Sequence, residues 1–123
     1  MNSIFYRFVK WIPLGRVGEI HPEAVNGLIE SDPSAIQLVD VRSQTEWRSG
    51  HLRGAVNIPI TELASRIGDL DFDKEVLLVP ICLSAHRSIP AVRIFEEHGY
   101  KDVRQLSGGM RNWNRSFRSK LVT

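Results

Sequence analysis

Residues 16–118 of this chain read as an open α/β sheet with helices on both faces. Three observations predict it. Short apolar runs alternate with helix-spaced amphipathic segments along the chain. The run Val76–Ile81 is apolar at consecutive positions, as a parallel strand covered on both faces must be. Punctuating residues, Gly50, Pro59 and Gly99 among them, fall between the runs.

Each element follows in order. Val17–Ile20 suits a short strand, and His21-Pro22-Glu23 starts a helix through Leu28 and Ile29, with proline near the first turn. Ile36–Val41 has a buried-strand pattern. Gln44–Arg48 is a helical turn ended by Gly50, and Ala55–Ile58 is a strand stopped by Pro59. Thr61 is the expected cap of a helix carrying Leu63 and Ile67. After the central strand, Ile89–His98 is an amphipathic helix closed by Gly99. Val103–Leu106 is the last strand, and Gly108-Gly109 opens a helix through Trp113 and Phe117.

Residues 1–15 stand apart as an amphipathic arm, and residues 119–123 as a tail. In the arm Ile4, Phe5, Phe8, Val9 and Ile12 recur at helical spacing. It reads as a terminal arm, with docking to a partner subunit as the sharper alternative. With only two cations, Arg7 and Lys10, it is not assigned to a membrane.

A chain of 123 residues with a net charge of +2 suits one globular domain and gives no reason to invoke nucleic acid. The cations Arg111, Arg115, Arg118 and Lys120 read as a solvated helix end, since no nucleic-acid module accompanies them. One cysteine excludes an internal disulfide framework, and no secretory or membrane-spanning run is visible. A cytoplasmic setting is expected. The histidines at 21, 51, 86 and 98 have no metal-ligand spacing, and no cofactor is expected.

The chemistry concentrates at Cys82. It ends the apolar strand and opens the segment Leu83-Ser84-Ala85-His86-Arg87-Ser88 before a helix. Ligands of open α/β sheets bind at the carboxyl ends of strands. Three features there favour a thiolate: inward loop amides, the positive end of the next helix, and the Arg87 cation, with His86 as a second cation when protonated. The plainer reading of a lone cysteine is a small buried residue, and the polar loop argues against it. His51 reads as a loop anchor, and Trp47 and Trp113 as packing. Asp40 and Arg42 lie at a strand end. Arg42 either attracts an anion at the site mouth or joins a salt-bridge network with Glu46 or Arg87. The structural role is preferred for both.

Four ordered segments resemble the rhodanese family, together spanning about Val17 to Phe117. Asp40-Val41-Arg42 with Glu46 resembles its D-V-R-x-x-x-E signature, and Gly50 to Pro59 its G-H-I-x-G-A-x-N-I-P segment. Cys82 to Ser88 resembles the C-x-x-G-x-R-S loop, and Leu106-Ser107-Gly108-Gly109 with Trp113 the closing L-x-G-G-x-x-x-W.

The resemblance implies a mainly parallel five-stranded sheet. It also implies sulfur transfer from a donor such as thiosulfate, through a Cys82 persulfide, to cyanide or a thiol. The loop residues Leu83 to Ser88 would bind substrate. A low-turnover sulfur carrier or regulatory module, supplied by a protein partner, is the alternative. Phosphatase or arsenate reductase activity is a weaker one, because the related phosphatases use a loop one residue longer than the four residues between Cys82 and Arg87. Ala85 departs from the family glycine, and a positive φ would cost it about 1 kcal/mol. Leu83 and Ser84 stand where some thiosulfate-using members carry a cation, so the donor is left open.

Overall fold

A computed structural model describes residue 12 and residues 15–123. The arm expected over residues 1–15 therefore lies outside the described residues, apart from Ile12 and Gly15. The elements alternate as β1 (Glu19–Ile20), α1 (Pro22–Ser31), β2 (Ile36–Asp40), α2 (Gln44–Ser49) and β3 (Val56–Asn57). They continue as α3 (Ile60–Arg66), β4 (Leu77–Ile81), α4 (Ser88–Glu97), β5 (Gln105–Leu106) and α5 (Gly109–Phe117). Short 3-10 turns at Pro33–Ala35, Ile67–Asp69 and Arg118–Lys120 were not anticipated. They extend helix ends or lead into strands.

Parallel pairing forms a two-stranded sheet, β1-β5, and a three-stranded sheet, β4-β2-β3, and one parallel bridge from Leu78 to Val103, just before β5, joins them in the order β1-β5-β4-β2-β3. β2 and β4 pair along their full length, from Ile36 with Leu77 to Asp40 with Ile81. The β4–β5 seam is narrower. It rests on the Leu78–Val103 bridge, with Leu78 N donating to Asp102 O and Arg104 N to Leu78 O. The next rung would need an N–H from residue 80, which is proline and has none. β5 instead continues its ladder on β1, where Gln105 N donates to Gly18 O and Ser107 N to Ile20 O. The apolar run at Val76–Ile81 is thus central, and Pro80 is what interrupts one of its two seams.

Alternate strand positions feed two cores, as a pleated sheet requires. Val39, Leu78 and Cys82 pack with Leu63, Val92 and Phe95 of α3 and α4 on one face. Leu38, Val79 and Ile81 pack with Val25, Ile29, Met110 and Trp113 of α1 and α5 on the other. Thr61 does not cap α3. The N-cap is Pro59, and Thr61 falls inside the first turn, where its hydroxyl makes no capping bond. Proline's fixed φ and missing N–H do the starting here instead.

α5 approaches the end of β4 very closely. Gly109 has φ +63°, and a Cβ there would meet Cys82 O at 2.5 Å and Leu83 O at 2.6 Å. Gly109→Ala is expected to cost about 3 kcal/mol, from left-handed strain plus overpacking against backbone that cannot yield. Urea unfolding checks this, and a loss well under 1 kcal/mol would mean that the contact is soft.

Candidate active site

The loop after β4 is held from below by α5. Met110 N donates to Cys82 O at 2.8 Å, and Arg111 N to Leu83 O at 3.0 Å. In a planar trans peptide the next N–H points opposite to the carbonyl. The N–H groups of Leu83 and Ser84 therefore point away from α5. From Leu83 to Ser88, none of the six backbone N–H groups has an acceptor among the described residues. Ala85 has φ +69°, the only positive φ at a non-glycine position among the described residues. The departure from glycine noted in the sequence therefore falls where the loop takes a left-handed turn. Alternating right- and left-handed residues make the amide concavity known as a nest. The N-terminus of α4 begins at Ser88 with no side-chain cap and adds its positive dipole end.

Cys82 is 1% exposed, at the floor of this loop. Its Sγ lies 3.4 Å from Ser88 Oγ. Ser84 Oγ and His86 Nδ1 are 3.1 Å apart, with His86 on the exposed side. Arg87 makes a bidentate pair with Glu46, at 2.8 and 2.9 Å. Glu46 also accepts from Ser43 N, while Ser43 Oγ accepts from Glu46 N, so one carboxylate both boxes the start of α2 and holds the cysteine loop. The Arg87 bond, aided by Ser43 against the opposing effect of burial, lowers the Glu46 pKa to about 2. Arg87 is raised by the same bond, and more weakly by the charges of Glu46, Cys82 and Asp40.

Asp40 and Arg42 form a separate unit. Arg42 donates Nε to both Asp40 oxygens and Nη2 to Asp40 Oδ2, and Nη2 also reaches Gly50 O at 2.8 Å. Both residues are buried, at 0% and 6% exposure. Arg42 therefore does not join Glu46 or Arg87, and it is not at a mouth. It ties the end of β2 to the Gly50 turn, a structural part with a different partner from the one expected. Asn57 Nδ2 completes this corner by donating to Asp40 O and Arg42 O. His51 is an anchor as read: Nδ1 lies 2.7 Å from Trp47 O, and the ring stacks on Trp47. Trp113 is core. Lys120 pairs with Glu30.

Sequence reasoning missed Gln105 and Glu19. Ser88 Oγ donates to Gln105 Oε1 at 2.5 Å, and Gln105 Nε2 donates to Glu19 Oε2 at 3.0 Å. A lone polar residue in an apolar strand was the only available signal. Among the described residues no helix is long and apolar enough to cross a membrane.

A parallel α/β sheet with a cysteine loop of free amides at a strand's carboxyl end defines the class of protein. Similarity to known proteins shows the family. The rhodanese-like domain model matches residues 21–116, and the chain belongs to that family. The putative sulfur carrier protein YrkF of Bacillus subtilis is 35% identical over 97 residues, 79% of this chain and 51% of that protein. The thiosulfate sulfurtransferase GlpE of Shewanella oneidensis is 34% identical over 92 residues, 74% of this chain and 89% of that protein. Among solved structures, the human single-domain sulfurtransferase TSTD1 superposes with a TM-score of 0.67 at 26% identity, covering 82% of this chain and 98% of that one. The chain spans about half the length of YrkF.

The Glu46 shift fixes a pH dependence. A carboxylate lowered from 4.5 to about 2 stabilises the fold above its ordinary range, and that stabilisation fades as pH falls toward 2. Glu46→Gln is expected to be less stable than the parent at pH 7, with the gap narrowing between pH 4.5 and 2. Urea midpoints across that range check it, and a gap independent of pH would contradict the assignment.

Proposed function

We propose that the chain is a sulfurtransferase in which Cys82 carries sulfane sulfur as a persulfide. The observation that carries the reading is the run of six amides following Cys82 that have no acceptor among the described residues, backed by the N-terminus of α4. The Cys82 thiolate attacks the outer sulfur of a donor such as thiosulfate. A sulfur–sulfur bond forms to Cys82, the donor's own sulfur–sulfur bond breaks, and sulfite leaves with the electron pair. The terminal persulfide sulfur carries the negative charge. Fixed N–H donors stabilise such an anion without a general base. A thiophilic acceptor, cyanide or a thiolate, then takes the outer sulfur and returns Cys82 to thiolate. Leu83, Ser84, Ala85, His86, Arg87 and Ser88 bind the transferring group, chiefly through backbone, while Asp40 and Arg42 hold the neighbouring corner. The names of GlpE and TSTD1 support the reaction class.

Intact mass after incubation with thiosulfate tests this. The expected result is a gain of one sulfur atom that is absent in Cys82→Ser. No gain from any sulfane donor would overturn the reading.

A second reading, a sulfur carrier loaded by a protein partner with little turnover of its own, has its own support. Ala85 sits at φ +69°, a strain of about 1–2 kcal/mol for a residue with a Cβ. Arg87 is already paired by Glu46, and its charge is only partly available to a free anion. YrkF bears a sulfur-carrier name. Ala85→Gly separates the two readings. It is expected to raise the thiosulfate:cyanide rate several-fold if small donors load the loop directly, whereas a low rate in both proteins favours the carrier.

A further inference from the structure

Behind the Cys82 sulfur, three side chains form a continuous hydrogen-bonded line to the surface. Cys82 Sγ lies 3.4 Å from Ser88 Oγ, Ser88 Oγ donates to Gln105 Oε1 at 2.5 Å, and Gln105 Nε2 donates to Glu19 Oε2 at 3.0 Å. Cys82, Ser88 and Gln105 are 1%, 0% and 4% exposed. Glu19, on edge strand β1, is exposed.

The direction of this line is set from its outer end. A carboxylate only accepts, so Gln105 must turn its amide nitrogen to Glu19. That leaves Oε1, also only an acceptor, facing Ser88. Ser88 has a single hydroxyl proton, and Oε1 takes it. What Ser88 then offers the sulfur is a lone pair. A neutral thiol can donate to it. A thiolate or persulfide anion meets electron density where it needs a proton, and in a buried site that mismatch is costly.

We propose that Gln105, oriented by Glu19, is a positioning residue that turns the Ser88 proton away from Cys82 and so favours the protonated thiol at rest. Taken together with the sulfur-transfer reading, on which this consequence rests, loading requires the Ser88 hydroxyl to rotate onto the sulfur. The rotation itself changes no covalent bond, since the proton stays on Ser88 Oγ and Gln105 Oε1 gives up a hydrogen bond; the Cys82 S–H bond then breaks, its proton passing to solvent water and its electron pair staying on the sulfur as thiolate. The other charged and titratable groups around the loop are Arg87 with Glu46, His86, the Asp40–Arg42 pair and Arg111 at the start of α5. None of them forms part of the line.

The test uses the full chain with no sulfur donor. Gln105→Leu removes the acceptor. Glu19→Gln supplies a side chain that can donate as well as accept, which frees the Gln105 amide to turn. Two readouts follow: the iodoacetamide alkylation rate at pH 6, and the Raman S–H stretching band, which can belong only to Cys82 because the chain has one cysteine. Gln105→Leu is expected to alkylate about tenfold faster, the scale of one hydrogen bond to a charged group. Its S–H band should move to higher frequency as the thiol loses its acceptor. Glu19→Gln should show a smaller change in the same direction. Both effects should vanish in a Ser88→Ala background. An unchanged rate and band in folded Gln105→Leu, or changes that persist without Ser88, would overturn the proposal. If Gln105→Leu fails to fold, the exposed Glu19→Gln decides alone, and no change there overturns it. Because no donor is present, a failure of sulfur loading by intact mass would sink the sulfur-transfer reading and leave this result standing.

Discussion

The docking of α5 on the end of β4 is the contact on which the site depends. Two carbonyls, those of Cys82 and Leu83, are bound by the first N–H groups of α5. A helix N-terminus always has unpaired donors, and here they are satisfied by backbone of the loop it supports. Once those carbonyls face α5, the adjoining amides must face the other way. The loop therefore presents donors as a consequence of how its carbonyls are held. Gly109 permits the approach, since any side chain would strike Cys82 O and Leu83 O.

Two arginine–carboxylate pairs then divide the work of holding the rim. Asp40–Arg42 is buried and keeps the end of β2 joined to the Gly50 turn. Its burial means that neither partner is available to a ligand, and removing one would strand the other's charge. Glu46–Arg87 is half-exposed and joins α2 to the cysteine loop across 41 residues of sequence. An exposed pair stabilises little by itself. Its value lies in geometry, because the bidentate fork fixes the plane of the guanidinium and restrains the loop just before α4.

Much of this was legible in the sequence. The strand–helix alternation appears because each strand is a short apolar run and each helix has one apolar face. The run at Val76–Ile81 announced the central strand, and the polar segment after Cys82 announced the site. The exchange of ion-pair partners was hidden, since Asp40, Arg42, Glu46 and Arg87 allow several pairings and only the depth of each side chain chooses between them. Arg42 folds back on Asp40 two residues away, which leaves Glu46 for Arg87. The start of α3 was misplaced by two residues because Thr61 is a better cap by type, yet Pro59 already fixes the backbone at that turn. Gln105 left almost no trace, since a single polar side chain in a two-residue strand has no periodicity to reveal it.

Pro80 links these features. A proline inside a central strand usually argues against that assignment. Here its missing N–H faces β5, because the flanking residues Val79 and Ile81 pair with β2 while Leu78 pairs with β5. The β4–β5 ladder consequently ends one rung after it begins, and β5 carries on against β1. The hydrogen-bonded line from Ser88 through Gln105 to Glu19 lies just beyond that break and ties α4 to β5 and β1 through side chains. A polar residue at position 105 is tolerated in the core behind the cysteine because both ends of its amide are satisfied there.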